Sequence, residues 1–152
     1  MLFEEKKDNY LISTDAAKLN VELIHDFLCN ISYWAEGIPF ETVKRSVENS
    51  TCFGVYDNEN NQVGFARVIS DLATIGYIGD VFIIPEHRGK GLSKWLMECM
   101  LKHPDLQNFR RWFLITRDAH DLYKGYGFTE LLKPQNFMEI RVPDIYSTKQ
   151  KN

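Results

Sequence analysis

The part of this sequence most able to bind a ligand is a glycine-rich turn between an apolar run and an amphipathic segment. Residues 81–93 read V-F-I-I-P-E-H-R-G-K-G-L-S. The β-branched and aromatic run at its start predicts a buried strand. A helix is predicted after the turn because apolar residues then recur at the spacing of one helical face: Leu92, Trp95, Leu96, Cys99 and Met100.

Strand, turn and helix in this order can bind phosphate. The first turn of a helix has unpaired N–H groups and a partial positive charge. Gly89 and Gly91 let the backbone approach an anion, and Arg88 and Lys90 add positive charge. Two better-known phosphate loops do not fit, because one residue separates the glycines and Lys94 stands where a dinucleotide-binding loop has glycine.

A second motif follows the first by a few tens of residues. Residues 119–128 read A-H-D-L-Y-K-G-Y-G-F, after a strand predicted at residues 111–116. Together the two segments resemble the signatures R-x-x-G-x-[GA] and A-x-x-L-Y-x-x-x-G-F of the GNAT superfamily, the acetyl-CoA-dependent N-acetyltransferases. Two residues depart from the pattern: Ser93 replaces Gly or Ala, and Thr116 replaces an asparagine.

The resemblance implies that acetyl-CoA is the co-substrate. No metal is expected, because the sequence has no C-x-x-C and no histidine with a partner at metal-ligand spacing. The turn would hold the CoA pyrophosphate, and the strand before it would pair with the amides of the pantetheine arm. A backbone N–H near Val81 or Phe82 would stabilise the thioester oxyanion. The candidate cofactor-binding residues are therefore Val81, Phe82, Ile83, Ile84, Arg88, Gly89, Lys90, Gly91, Leu92, Ser93 and Thr116.

Two candidate catalytic residues follow, each with an alternative. Tyr123 matches the tyrosine that in this family donates a proton to the departing thiolate; alternatively, it packs on the sheet with its hydroxyl bonded locally. Asp80 is a carboxylate in an apolar strand, which is costly unless it is paired or solvated. It is either a base that activates the amine through water, or a residue that caps a bulge or pairs with Arg67.

The acceptor is expected to be a small-molecule amine or a protein amine. Its candidate contacts are Tyr33, Trp34, Glu36 and Arg67. The loops at residues 32–39 and 70–76 are expected to border it. Acidic residues in and near these loops favour a cationic amine: Glu36, Glu41 and Asp71.

The predicted fold class is α/β, with a mixed, mostly antiparallel central sheet flanked by helices. The predicted order is β-α-α-β-β-β-α-β-α-β-β, which is also the GNAT order, and the resemblance implies that the central strands splay apart. The first strand is expected at residues 9–13, and the last two near residues 129–132 and 137–142. Residues after Asp144 read as a polar tail. We expect a single N-acetyltransferase domain over residues 1–152, with its core at about 9–143.

Amino-acid composition and charge limit the classes of function that the sequence allows. The 152 residues are 44% hydrophobic and carry a net charge of −3, with no basic cluster for nucleic acid and no membrane-spanning run. The three cysteines are odd in number and far apart, and Cys52 and Cys99 are expected in the core. No apolar leader follows Met1. We therefore expect a cytoplasmic protein, with a homodimer as one option.

The sequence thus predicts an N-acetyltransferase in which the amine attacks acetyl-CoA directly, within a ternary complex. A ping-pong route would need an accessible cysteine at the splay, and neither motif contains one. One alternative is a non-catalytic, acyl-CoA-binding regulatory module of the same fold. Another is a transferase for a longer acyl group, which would need a deep apolar pocket under Val81 and Phe82.

Overall fold

A twisted sheet forms the centre of the molecule. The structure, a computed structural model, describes residues 1–150, and the side chains of residues 1–147. The sheet has six strands in chain order: β1 (Glu4–Lys7), β2 (Tyr10–Ser13), β3 (Thr51–Tyr56), β4 (Gln62–Ser70), β5 (Ile75–Ile83) and β6 (Arg111–Leu114). All neighbouring pairs are antiparallel except β5 and β6, which are parallel. The predicted mixed, mostly antiparallel α/β fold is confirmed.

Helices cover both faces of this sheet. Those described are α1 (Val21–Asp26), α2 (Phe40–Glu48), α3 (Leu92–Lys102), α4 (His120–Lys124) and α5 (Ile145–Gln150), with a π-helical turn, Phe27–Ile31, after α1. One core lies under α3 and α4 and the other under α1 and α2. The predicted apolar face of α3 is buried, and so are Cys52 and Cys99. Within the described chain, no helix is both long and apolar enough to cross a bilayer.

Strand β5 carries a bulge and then separates from β6. Arg67 of β4 pairs with Gly79 and Phe65 pairs with Phe82, so one residue of β4 faces two of β5 at this point. Asp80, in the bulge, has a left-handed φ of 55°. The parallel pairing with β6 ends at Ile78, although β5 runs on to Ile83. Beyond Ile78, no strand of the described chain pairs with that edge of β5, so the central strands splay as expected.

Both ends of the chain differ from the prediction. Strand β1 was not predicted, because its four residues are all charged and carry no apolar alternation; it is an edge strand held by its ladder with β2. The two strands predicted near residues 129–132 and 137–142 were wrong, because no strand of the described chain runs alongside either segment to pair its backbone. The expected polar tail contains α5.

Candidate active site

A cleft opens where β5 and β6 part. Its cavity has a volume of about 390 Å³ and is bounded by the loop before α2, by β4 and β5, and by the end of β6 and the start of α4. The structure brings together here six of the residues expected to act on substrates: Tyr33, Trp34, Arg67, Asp80, Thr116 and Tyr123. Val81 lines the same cavity.

Tyr123 reaches the cleft from α4. Its ring packs in the core, edge-on to Phe128, and the residue is 8% exposed. Within the described residues, the Tyr123 hydroxyl has no hydrogen-bond partner, so the locally bonded tyrosine of the alternative interpretation is not what the structure contains. Burial raises the pKa of this hydroxyl, which keeps its proton at neutral pH. Tyr123 therefore brings a protonated hydroxyl to the lining of the cleft.

Thr116 positions the helix that carries Tyr123. Its hydroxyl accepts a hydrogen bond from the backbone N–H of Ala119 at 3.1 Å, at the start of α4. This satisfies one of the donors that a helix N-terminus leaves unpaired. The threonine thus makes a backbone contact of its own at the position where the family has asparagine.

Asp80 has partners on both carboxylate oxygens. The Arg67 guanidinium donates from Nε to one oxygen at 2.5 Å, and the Trp34 indole N–H donates to the other at 2.9 Å. The two charged side chains are mostly buried, at 17% and 12% exposure, and Arg67 also donates to the Ser50 hydroxyl at 3.0 Å. The pairing with Arg67, one of the roles considered for Asp80, is present. The bulge is what brings the carboxylate to both donors.

The glycine-rich turn forms an open backbone cradle before α3. Gly89 and Gly91 have left-handed φ values of 80° and 75°, and a Cβ added at either would meet no atom within 4 Å. Gly91 precedes the first residue of α3, and no side chain of the described residues caps that helix. The first N–H groups of α3 thus have no side-chain cap among the described residues, as anion binding at a helix start requires.

The two basic side chains of the turn are partly engaged. Arg88 donates from Nε to the carbonyl oxygen of Ile83 at 2.9 Å, which ties the turn to the end of β5. Lys90 donates to the Tyr10 hydroxyl at 3.2 Å, and that hydroxyl lies 2.7 Å from Nδ1 of His87. Arg88 thus braces the turn, while the exposed Lys90 ammonium can also face a bound anion.

The remaining backbone candidates lie along β5 and at the start of α3. Val81 is half-buried beside the cleft, whereas Phe82 and Ile83 are buried and offer only their main chain. The Phe82 ring stacks on Phe27, with centroids 3.9 Å apart. The three other candidates also have buried or half-buried side chains: Ile84, Leu92 and Ser93.

The acidic residues expected at the acceptor site do not line the cleft. Glu36 and Glu41 are exposed to solvent outside it. Asp71 closes its own loop, where it accepts hydrogen bonds from the side chain and backbone of Thr74; these bonds hold the pKa of that carboxyl well below its usual range. The charges that line the cleft come instead from Arg67, Asp80 and the segment after β6.

Two residues of the cleft were missed by sequence reasoning. The Arg117 guanidinium lies 3.7 Å from the centre of the Tyr33 ring, and its backbone N–H donates to the Tyr33 hydroxyl at 3.2 Å. Tyr77 packs edge-on against Phe113 across the last paired part of β5 and β6. The only signal for Arg117 is its place just after a strand predicted to end at the cleft.

Thiols and metal ligands do not gather at the cleft. Burial raises the pKa of both Cys52 and Cys99 to about 12, and all three cysteines are unpaired. Over residues 1–147, no cluster of three or more His, Cys, Asp or Glu side chains could hold a metal ion.

Comparison with known proteins agrees with this geometry. The family described as "Acetyltransferase (GNAT) domain" matches residues 48–130. The Gibberella zeae protein named "Putative acetyltransferase FG08082" is 32% identical over 146 residues, covering 82% of this chain and 81% of that protein. A crystal structure of a GNAT-family protein from Xanthomonas campestris pv. campestris has a TM-score of 0.90 and 50% identity, covering 93% of this chain and 99% of that one.

A more distant structure shares the fold. The GNAT-family acetyltransferase from Elizabethkingia anophelis, solved with acetyl-CoA bound, has a TM-score of 0.62 at 16% identity, covering 91% of this chain and 92% of that one. The family match covers both motifs and all of the strands β3 to β6. The chain belongs to the GNAT family of acetyltransferases.

Proposed function

We propose that this protein transfers the acetyl group of acetyl-CoA to a primary amine, by direct attack within a ternary complex. The observation that carries the proposal is the cleft itself. Tyr123 and the unpaired edge of β5 line the same cavity, and the open cradle of Gly89 and Gly91 follows the end of that strand. A thioester, its carrier and an attacking amine each have a place in this arrangement.

The cradle fits the pyrophosphate of CoA. Backbone N–H groups at the start of α3 would bind the phosphate oxygens, and the helix dipole would favour their negative charge. Lys90 would add a cation at the rim. The unpaired edge of β5, from Gly79 to Phe82, would hydrogen-bond the amides of the pantetheine arm as an added strand does. A main-chain N–H there would face the thioester oxygen.

Direct attack follows from the chemistry of the cleft. The amine nitrogen forms a bond to the thioester carbonyl carbon, the carbon–sulfur bond then breaks, and the thiolate takes a proton. Tyr123 would supply that proton, since burial keeps its hydroxyl protonated. An acyl-cysteine route has no support here, because Cys52 and Cys99 are buried with thiols that stay protonated, and the half-buried Cys29 does not line the cleft.

We propose that Asp80 orders the acceptor side of the cleft and that water removes the amine proton. Both carboxylate oxygens of Asp80 already accept hydrogen bonds, from Arg67 and Trp34. A carboxylate keeps further lone pairs, so it can still accept one from the acceptor ammonium. The alternative is that Asp80 itself takes the proton through a water molecule, and the two roles predict different pH profiles.

A short acyl group fits better than a long one. The space beneath Phe82 is filled by the stacked ring of Phe27, and Phe65 of the neighbouring strand β4 packs against Phe82 at 6.0 Å between centroids. A longer chain directed under β5 would have to displace these buried rings. Acetyl is therefore the proposed donor group.

The acceptor is proposed to be a small-molecule or protein amine that reaches the cleft between Tyr33, Trp34 and Arg67. The aromatic rings are 45% and 43% exposed and form its rim. We further propose that residues 1–152 act as a single acetyltransferase domain in the cytoplasm. The three unpaired cysteines favour such a reducing compartment.

The test is amine-dependent release of CoA. The purified protein is incubated with acetyl-CoA and a panel of polyamines, amino acids, aminosugars and amine-bearing peptides, and free thiol is followed. Release that depends on an amine, together with the acetylated amine in the mass spectrum, is the expected result. The alternative, a regulatory module that binds acyl-CoA without turnover, predicts calorimetric binding of acetyl-CoA with no release for any amine.

A further inference from the structure

The Arg117 guanidinium lies at the rim of the cleft without a carboxylate partner. It lies over the Tyr33 ring, 3.7 Å from the ring centre, while the backbone N–H of Arg117 donates to the Tyr33 hydroxyl. Among the described residues, no carboxylate forms an ion pair with Arg117. A guanidinium stays charged at neutral pH and has five N–H donors in one plane. Arg117 therefore has one face covered by Tyr33 and a charge that no described side chain neutralises.

The other arginine of the cleft is already paired. Arg67 donates from Nε to Asp80 at 2.5 Å and from Nη1 to the Ser50 hydroxyl at 3.0 Å. Asp118 also lines the cavity, but it forms no ion pair with Arg117. Of the two guanidinium groups in the cleft, the one at Arg117 is therefore the group that can bind an anion of the substrate.

A line of side-chain contacts joins Arg117 to Asp80. The rings of Tyr33 and Trp34 meet edge to face with centroids 5.1 Å apart, and the Trp34 indole N–H donates to Asp80 at 2.9 Å. All four side chains line the same cavity. The cleft thus has a carboxylate at one end of an aromatic rim and a guanidinium at the other. This arrangement is complementary to a molecule that has both an ammonium and an anionic group.

Given acetyl transfer to an amine, as proposed, we infer that the acceptor amine also carries a carboxylate and that Arg117 binds this carboxylate. The two oxygens of a carboxylate match the N–H groups along the edge of a guanidinium. The acceptor ammonium faces Asp80 before it loses its proton. The exposed rings of Tyr33 and Trp34 contact the carbon chain between the two charges. Amino acids and short peptides have this combination of groups.

Polyamines fit this rim less well. A second ammonium would lie beside the Arg117 cation, where like charges repel. The acidic residues that favour a cationic amine in the sequence lie outside the cleft: Glu36, Glu41 and Asp71. The charges that line the cavity therefore favour an acceptor with one positive and one negative group over an acceptor with several positive groups.

The experiment compares acceptors that differ in the charge of one group. Each L-amino acid, 4-aminobutyrate and glycylglycine is assayed against its own amide, and 4-aminobutyrate against 1,4-diaminobutane, by amine-dependent release of CoA. The preferred acid should exceed its amide in kcat/KM by about tenfold or more, the scale of a charge-assisted hydrogen-bonded pair. An amide group also lowers the pKa of a nearby amine and so makes it more reactive at neutral pH. A preference for the acid therefore does not come from the reactivity of the amine.

The variant Arg117→Gln tests whether this residue reads the carboxylate. The preference for the acid over its amide should largely disappear, chiefly through a higher KM for the acid. Arg111→Gln is the matched control, because Arg111 is an exposed arginine that also lies near an aromatic ring, 5.0 Å from the centre of Phe137, but outside the cleft. It should keep the full preference for the acid.

Three results would overturn the inference and leave acetyl transfer intact. CoA release could show no acid preferred over its amide, 1,4-diaminobutane could exceed 4-aminobutyrate, or Arg117→Gln could keep the wild-type preference. If no amine releases CoA, the proposed function fails instead. Calorimetric titration of the CoA-saturated protein with the same acids and amides then decides the inference. Tighter binding of an acid than of its amide, lost in Arg117→Gln, would support it, and equal or absent binding would overturn it.

Discussion

At the scale of single residues, Tyr123 carries the sharpest prediction. Because its hydroxyl faces the cleft without a partner in the described chain, Tyr123→Phe should lower kcat by roughly 10²-fold, as loss of a general acid does. Affinity for acetyl-CoA and the free energy of unfolding should change little, because no hydrogen bond is lost. Steady-state kinetics, calorimetry and chemical denaturation measure the three quantities.

The control for this change lies three residues along the chain. The Tyr126 hydroxyl donates to the carbonyl oxygen of Lys94 at 3.0 Å and lies outside the cleft. Tyr126→Phe should therefore leave kcat within about twofold of the wild-type value and reduce stability by about 1 kcal/mol, the usual net worth of a hydrogen bond. Equal kcat values for the two variants would mean that Tyr123 is structural.

Substitutions of Gly89 test whether the backbone cradle before α3 binds the pyrophosphate of acetyl-CoA. Gly89→Asp should place a carboxylate against the pyrophosphate and weaken acetyl-CoA binding by about 2 kcal/mol, or roughly 30-fold, the cost of an unfavourable like-charge contact. Gly89→Ala is the matched control, because it meets the same strained φ of 80° without the charge. Calorimetry on both variants separates strain from repulsion. Equal affinities in the two would contradict phosphate binding at this turn.

The variant Asp80→Asn distinguishes a role of Asp80 in ordering the cleft from a role as the general base. Asp80→Asn keeps the shape and tolerates the left-handed backbone, but it removes the charge that pairs with Arg67. If Asp80 orders the cleft, the melting temperature should fall and the acid limb of the kcat/KM profile should stay in place.

Preservation of the melting temperature together with loss of the acid limb would identify Asp80 as the general base instead. Thermal unfolding and a pH–rate profile on the same preparation decide between the two roles. The companion variant Trp34→Phe removes one hydrogen bond to Asp80 and leaves the ion pair, so it should lower stability less than Asp80→Asn.

At the scale of elements, the site depends on where two strands stop pairing. Strand β5 pairs with β6 from Ile75 to Ile78, and the bulge at Asp80 then directs β5 away from β6. Helix α4, which follows β6, brings Tyr123 to the cleft, and the open cradle before α3 lies after the end of β5. The chemistry is therefore placed by the ends of elements, while their apolar faces only build the two cores.

The start of α4 carries the element-scale prediction. Thr116→Ala removes the hydroxyl that accepts from the Ala119 N–H, and it should lower stability by about 1 kcal/mol, the usual net contribution of a hydrogen bond. Because α4 has only five residues, Tyr123 should also shift and kcat should fall. Thr129→Ala is the control, since that exposed hydroxyl contacts only the neighbouring Glu130 carbonyl. An unchanged kcat in Thr116→Ala would show that packing alone positions Tyr123.

At the scale of the whole molecule, local patterns predict the elements from β3 to α4. Each has either an apolar alternation or a helical face, and the two glycines mark the turn before α3. The contacts of Asp80 could not be predicted, because they depend on the register across a bulge. Strand β1 could not be predicted either, since its four residues are charged and it is held by backbone pairing with β2 and by the contacts of Glu5 with Trp95 and Lys102.

The carboxyl-terminal segment shows the opposite case. Its alternation predicts a strand at residues 137–142, and the described chain provides no partner for it. A period of two specifies which face of a segment is apolar, but not which strand will pair with it. The prediction therefore failed on pairing, a property that depends on the whole molecule.

Ligand binding should stabilise the whole fold by an amount that grows with the logarithm of the ratio of ligand concentration to Kd. At a concentration 100 times its Kd, acetyl-CoA should add about 2.7 kcal/mol. For a chain of this length, this should raise the melting temperature by roughly 5–10 °C. Acetyl-pantetheine carries the thioester and the arm but has no pyrophosphate, so at the same concentration it should raise the melting temperature far less. The difference in melting temperature between the two ligands should disappear in Gly89→Asp and persist in Tyr123→Phe, because only the first variant alters the cradle. If this difference in melting temperature persists in both variants, the pyrophosphate binds away from the start of α3.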